Sequence, residues 1–237
     1  LYSDQFAPKT PRQNMPFARN VEGADWMEKW HALEEDFVHI YQYIETLPSP
    51  KSPNDRDRDL AAKGENLFVN NCAECHGTYG PDGEFPNVIV PIDDIGTDRV
   101  RLTAVPKADR EWTNKRFLQY EGEQLLELES TGYLAPPLDG IWASAPYFHN
   151  GAAPTLTAVM NPSSRPTVWK RTDYGYDKVN VGLEVEVFDS VPEGLSDRVR
   201  RMYYDTTHFG NSNAGHTFPD ALESDEKLAV IEYLKTL

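Results

Sequence analysis

Thiols are nearly absent from this chain: its 237 residues include two cysteines, beside 18 prolines, 15 glycines and 38 acidic side chains. Long apolar runs are missing too. None approaches the ~20 residues that a membrane span requires, so no span is expected in this chain. Basic residues are outnumbered, 23 against 38 acidic ones, and the net charge of −15 argues against nucleic acid and anionic membrane as partners. A small basic protein or a neutral substrate suits such a surface better. An initiator Met and a signal peptide are also lacking. The chain opens Leu-Tyr-Ser, so a processed or truncated product, or a subunit cut from something longer, is expected.

What is present excludes global disorder: 39% hydrophobic residues with 12 Tyr, 10 Phe and 5 Trp. The length allows one good core with an appendage. The terminal stretch 224–237 reads as a helix, with Ser224 as N-cap, acidic Asp225 and Glu226 in the first turn, and Leu228, Ile231, Leu234 and Leu237 on one face. A second helix is expected over 33–47 and a third over 60–70, with Gly64, Leu67 and Phe68 on one face. Shorter helices are expected near 114–129 and 155–160. The stretch YIETL at 43–47 matches YLKTL at 233–237, and a Pro-rich charged linker follows the first copy. Residues 1–50 are therefore read as an extension plus linker, either the tail of a preceding module or an amphipathic helix lying on the main domain. Residues 51–237 form that domain. Its middle, from about 78 to 220, is rich in Pro, Gly, Asp and aromatics and reads as a long loop-rich insertion that wraps something.

Both cysteines fall in NNCAECHGTYG, residues 70–80: Cys72, Cys75 and, directly behind them, His76. A structural zinc site wants four ligands, so beside the two cysteines it would need two histidines from His31, His39, His76, His149, His208 and His216, and none are paired at zinc-finger spacing. A redox dithiol of the thioredoxin kind expects a preceding strand in an α/β context. A disulfide across two intervening residues would be strained and would close almost no loop. Covalent haem uses all three groups. In Cys-x-x-Cys-His the thiols form thioethers to the porphyrin and the adjacent imidazole ligates iron. One haem c is thus expected, and because such haem is attached after export, so is a periplasmic or otherwise extracytoplasmic location.

The flanking AAKGENLFVNNCAECHG resembles the first helix and haem loop of class I cytochromes c. That resemblance implies an all-α fold of the class I cytochrome c type, in which Gly64 and Phe68 let the first helix cross the last one closely at Tyr233. Further on, PLDGIWASAPYFHNGAAPTL (137–156) resembles a signature of the di-haem cytochrome c peroxidase superfamily. NPSSRPTVW, YDKVNVG and GNSNAGH are closer to its rubber (latex) oxygenase branch. Known members carry two haems, whereas this chain has one motif, so their activity does not carry over to it.

The resemblance also bears on the sixth iron ligand. Class I cytochromes take it from the loop before the terminal helix, which selects 208–222 and puts His208 and His216 ahead of Met160. The His of the GNSNAGH-type motif, here His216, is the distal ligand in the oxygenase branch. The peroxidase branch uses a Met after PYFHNG, and Met160 is that alternative. His76 and His216 are therefore the expected metal ligands. Trp142, Tyr147 and Phe148 are candidate haem-pocket walls or ordinary core. Trp142 and His149 are further candidates for contact with the cofactor, His149 through hydrogen bonds at its edge or satisfied by a loop carbonyl. Arg99 and Arg101 read as propionate partners or surface ion pairs, and His31, His39 and His208 as peripheral. Two imidazoles on one iron imply a low-potential, low-spin centre that passes single electrons to a redox partner protein or to a catalytic subunit or domain. The alternative is a haem peroxidase or oxygenase, or a part of one, with an open or labile sixth position.

Overall fold

The computed structural model describes residues 34–53, 56–115 and 129–237. The expectations at His31 and over most of the 114–129 helix lie outside them. The chain divides into two compact units, Leu1–Pro48 with Val105–Ser130, and Ser49–Ala104 with Thr131–Leu237. In the first unit, α1 (Glu34–Glu45) carries an exposed His39.

The second unit is built on a helix crossing. Helix α2 (Arg58–Asn71) starts at Asp57, whose carboxylate accepts from the Asp59 and Leu60 amides and satisfies two donors that a first turn leaves open. It buries Ala61, Gly64 and Phe68. The terminal helix, introduced below as α9, spans Ser224–Leu234 and turns Ala229, Val230, Ile231, Tyr233 and Leu234 inward. Its N-cap is Glu223 rather than Ser224: the Glu223 and Glu226 carboxylates close a reciprocal capping box. At the crossing a Cβ on Gly64 would stand 1.9 Å from the Ala229 carbonyl oxygen and 3.0 Å from the Tyr233 Cβ. Only a bare backbone fits there. One turn on, the Phe68 ring lies 5.3 Å from that of Tyr233 and is 1% exposed.

Between these helices the chain forms α3 (Ala73–His76), β1 (Ile89–Pro91), α4 (Ile92–Ile95) and α5 (Val100–Thr103). After α6 (Lys107–Thr113), which belongs to the first unit, come β2 (Gly132–Leu134), a 3₁₀ turn at Ile141–Ala143 and α7 (Leu156–Met160). Strands β3 (Val168–Asp177) and β4 (Gly182–Phe188), the short α8 (Asp197–Arg200) and β5 (Tyr203–Asp205) follow, and a 3₁₀ turn at Phe218–Ala221 leads into α9.

The all-α expectation is therefore wrong. The fold is mixed, with two antiparallel sheets: a β1–β2 ribbon and a three-stranded sheet in the order β4-β3-β5. The residues explain why. β-Branched and aromatic side chains recur along VWKRTDYGYD and GLEVEVF, and β4 begins buried and then turns outward at Glu184. The Asp177 carboxylate accepts from the Val179 and Asn180 amides and sets the turn between β3 and β4. The insertion is not loop alone. It is stitched to the core through Leu156 N–H to the Val181 carbonyl at 2.9 Å and the Tyr147 hydroxyl to the same carbonyl at 3.1 Å. One core gathers Phe68, Leu138, Tyr147, Leu156, Met160 and Val181 with the buried face of α9.

Gly64→Ala is expected to cost at least about 1–3 kcal/mol of unfolding free energy, since the new methyl runs into the Ala229 backbone. Asn70→Ala on the exposed face of the same helix should stay within about 0.5 kcal/mol. Urea denaturation of the haem-loaded protein measures both.

Candidate functional site

The two thiols and His76 occupy a single turn. The Cys72 N–H closes α2 on the Phe68 carbonyl at 2.8 Å, and the Cys72 carbonyl accepts the His76 N–H at 3.0 Å, beginning α3. Gly77 ends that turn at φ +79, where a Cβ would lie 2.3 Å from the Glu84 carbonyl oxygen. Both cysteines are free thiols. Burial, with Cys75 adding to it, pushes the Cys72 thiol up to about 11, and burial raises Cys75 as well. Among the described residues, no group of three or more His, Cys, Asp or Glu could hold a metal ion.

His76 is oriented by its surroundings. Its Nδ1 lies 2.9 Å from the Pro136 carbonyl, a contact that requires a proton on that nitrogen and leaves Nε2 with a bare lone pair. The Tyr79 hydroxyl donates to the His76 carbonyl at 2.9 Å and accepts from the Leu138 N–H at 2.7 Å, tying the haem loop to the segment that leaves β2. Burial lowers the His76 pKa, so the imidazole is neutral, the form that binds metal.

Opposite it stands His216. The two imidazole centroids are 6.3 Å apart with planes at 63°. Two axial metal–imidazole bonds of about 2.0–2.1 Å each, plus the half-ring behind each nitrogen, span roughly that distance. His216 is lined by Phe148 at 5.8 Å and Phe218 at 5.6 Å. Burial, reinforced by His76 and Arg165, pushes its pKa down to about 4. Its Nδ1 is buried without a hydrogen-bond partner, an exceptional condition for an imidazole unless a further group engages the ring. The donor set fits haem c: two thiols, a neutral imidazole with a bare nitrogen, and a second neutral imidazole at axial distance.

The segment carrying His216 is held in unusual backbone geometry. Gly215 has φ +79, and a Cβ on it would lie 2.3 Å from backbone atoms of Gly96 and Thr97. His216 itself has φ +47, a conformation that L-residues avoid. Its N–H donates to the Ile95 carbonyl at 2.6 Å. Arg165, from the NPSSRP stretch, reaches the carbonyls of Asn213, Gly215 and His216. The Asn150 amide holds the Gly210 and Ser212 carbonyls at 3.2 and 2.9 Å.

The other expected residues are dispersed. Met160 is 4% exposed within the hydrophobic core. The Trp142 indole N–H donates to the Pro50 carbonyl at 2.9 Å, and its own carbonyl accepts the Tyr176 hydroxyl. The His149 ring stacks on Tyr133 at 4.1 Å with its Nε2 buried and unpartnered, and burial lowers its pKa. Arg101 donates to the His149 carbonyl at 3.1 Å, whereas Arg99 pairs with Asp93 on the surface. His208 lies 3.4 Å from Asp205 and is half exposed. Sequence reasoning missed Arg165, Pro136, Ile95 and the Gly96–Gly215 contact. Only Arg165 left a trace, as a cation inside a proline-flanked stretch.

A family model described as RoxA-like, cytochrome c-like matches residues 132–170. That match supports a cytochrome c-like domain of this superfamily, and such a domain implies haem c. Two proteins of Sinorhizobium fredii (strain NBRC 101917 / NGR234) are similar over most of the chain. Uncharacterized protein y4iM is 30% identical over 242 residues, which cover 83% of this chain and 53% of that protein. Uncharacterized protein y4iJ is 40% identical over 244 residues, covering 76% and 39%. The chain spans about half the length, or less, of these curated relatives.

Gly215→Ala is expected to destabilise the protein by at least about 1–3 kcal/mol, because the methyl meets backbone at a left-handed position. Gly80→Ala, at φ +103 with nothing within 4 Å, isolates the conformational part, about 1–2 kcal/mol. Thermal unfolding of the two variants side by side measures the difference.

Proposed function

We propose that this chain is an extracytoplasmic, single-electron-transferring c-type cytochrome with one haem, anchored by Cys72 and Cys75 and ligated by His76 and His216. The observation that carries this reading is the 6.3 Å edge-on approach of two half-buried imidazoles, both with lowered pKa values. When bound, the haem supplies an iron that alternates between ferric and ferrous states. The protein supplies the rest. The Pro136 carbonyl fixes the His76 tautomer and makes the opposite nitrogen a stronger donor. The left-handed backbone at Gly215 and His216 sets where the second imidazole stands. Two imidazoles favour ferric iron more than a Met thioether would, which sets a lower potential. If His76 and His216 both held the haem iron, neither peroxide nor oxygen would have a site on it, and the chain would relay electrons rather than react.

Attachment of haem to Cys-x-x-Cys-His follows export, which supports the extracytoplasmic assignment. The partner is a redox protein, or a catalytic domain or subunit. The greater length of the relatives leaves room for such a domain in the same polypeptide.

His216→Ala should convert a low-spin absorption and EPR spectrum to high-spin and let cyanide bind. Met160→Ala should leave the low-spin spectrum unchanged. A low-spin spectrum that survives His216→Ala and disappears in Met160→Ala would move the ligand to the thioether. A high-spin resting spectrum in the wild type would replace the electron-carrier reading with a peroxidase- or oxygenase-like one.

A further inference from the structure

Arg165 is a buried cation 9% exposed, and no carboxylate forms an ion pair with it among the described residues. A buried charge is costly unless all its donors are satisfied. A guanidinium has five N–H groups, and here five carbonyls receive them. Nε donates to Ala158 at 3.0 Å, Nη1 to Asn213 at 2.6 Å and Gly215 at 2.7 Å, and Nη2 to Val159 at 3.1 Å and His216 at 3.3 Å. Its carbon sits 4.7 Å from the centroid of Phe148, the ring that also lines His216.

These five acceptors come from two places. Ala158 and Val159 belong to the end of α7, whose last carbonyls have no partner within the helix. Asn213, Gly215 and His216 belong to the loop before α9. One planar fork therefore rivets that loop to a helix end seated in the core. The loop needs such a rivet. Left-handed backbone at a non-glycine residue persists only when its surroundings over-determine it, and His216 stands at φ +47.

We propose that Arg165 is the positioning residue of the distal imidazole: its guanidinium holds the 213–216 backbone in the conformation that points His216 at His76. This rests on the reading of His216 as an axial ligand. Lysine cannot replace it fully, because an ammonium has three donors and no plane.

The test uses the full haem-loaded chain with Arg165→Gln and Arg165→Lys, beside the wild type and His216→Ala. Electronic and EPR spectra, cyanide association rates, haem content and melting temperature are the readouts. Charge-assisted hydrogen bonds are each strong enough to move a local equilibrium by about tenfold or more. Arg165→Gln should therefore become mostly high-spin, bind cyanide at least about tenfold faster, and regain a low-spin spectrum when free imidazole is added. Arg165→Lys should fall between it and the wild type. A low-spin Arg165→Gln with the cyanide rate of the wild type would overturn the positioning role while leaving His216 as the ligand. Failure of both variants to take up haem would overturn it as well, assigning the guanidinium to folding. A high-spin wild type, or a low-spin His216→Ala, would remove the reading beneath it.

Discussion

The contact between Gly64 and the Ala229 carbonyl is the constraint from which the site hangs. Helices meet this closely only where one has no side chain, and here the missing Cβ would stand 1.9 Å from a backbone oxygen. The crossing fixes Phe68 against Tyr233, and the Phe68 carbonyl in turn takes the Cys72 N–H. The Cys72–His76 turn therefore starts from a tightly packed crossing. Four residues later, His76 inherits that rigidity.

The small β1–β2 ribbon then braces both imidazoles. β1 runs into α4, whose last residue, Ile95, offers its carbonyl to His216. β2 runs into the segment whose Pro136 carbonyl engages His76. Two strands paired over three residues thus couple the proximal and distal sides through backbone alone. Backbone acceptors suit this task. They carry no net charge, cannot change rotamer, and leave both rings neutral in a chain whose surface is strongly acidic.

The legible part of this design was the contiguous part. Cys72, Cys75 and His76 announce their chemistry because covalent attachment demands them at fixed spacing. Gly64, Phe68 and Tyr233 announce theirs because a helix repeats every 3.6 residues. The sheets were misjudged because density of Pro, Gly and Asp was weighed above the β-branched and aromatic content of VWKRTDYGYD and GLEVEVF, a signal that was there to be read. The braces were not legible at all. A carbonyl from Pro136 or Ile95 leaves no mark on residue type, since every residue has one. Arg165 did leave a mark, but surface ion pairing explains most arginines, and its five acceptors are scattered between 158 and 216.

This asymmetry has a functional side. The Cys72–His76 half of the site is written in one turn of sequence. The distal half is assembled from α4, α7, the Arg165 stretch and the loop before α9, none of which touches the attachment chemistry. Whether the His216 ring is presented or released is then decided by how firmly that loop is held. A left-handed residue at φ +47 is poised for the choice. With the guanidinium and the Gly96–Gly215 contact in place, the imidazole is presented. Without them, the backbone gains by relaxing to an ordinary conformation, and the ring leaves with it. One scaffold can thus hold or release that ring with the Cys-x-x-Cys-His turn unchanged, the difference resting on side chains and backbone contacts remote from it.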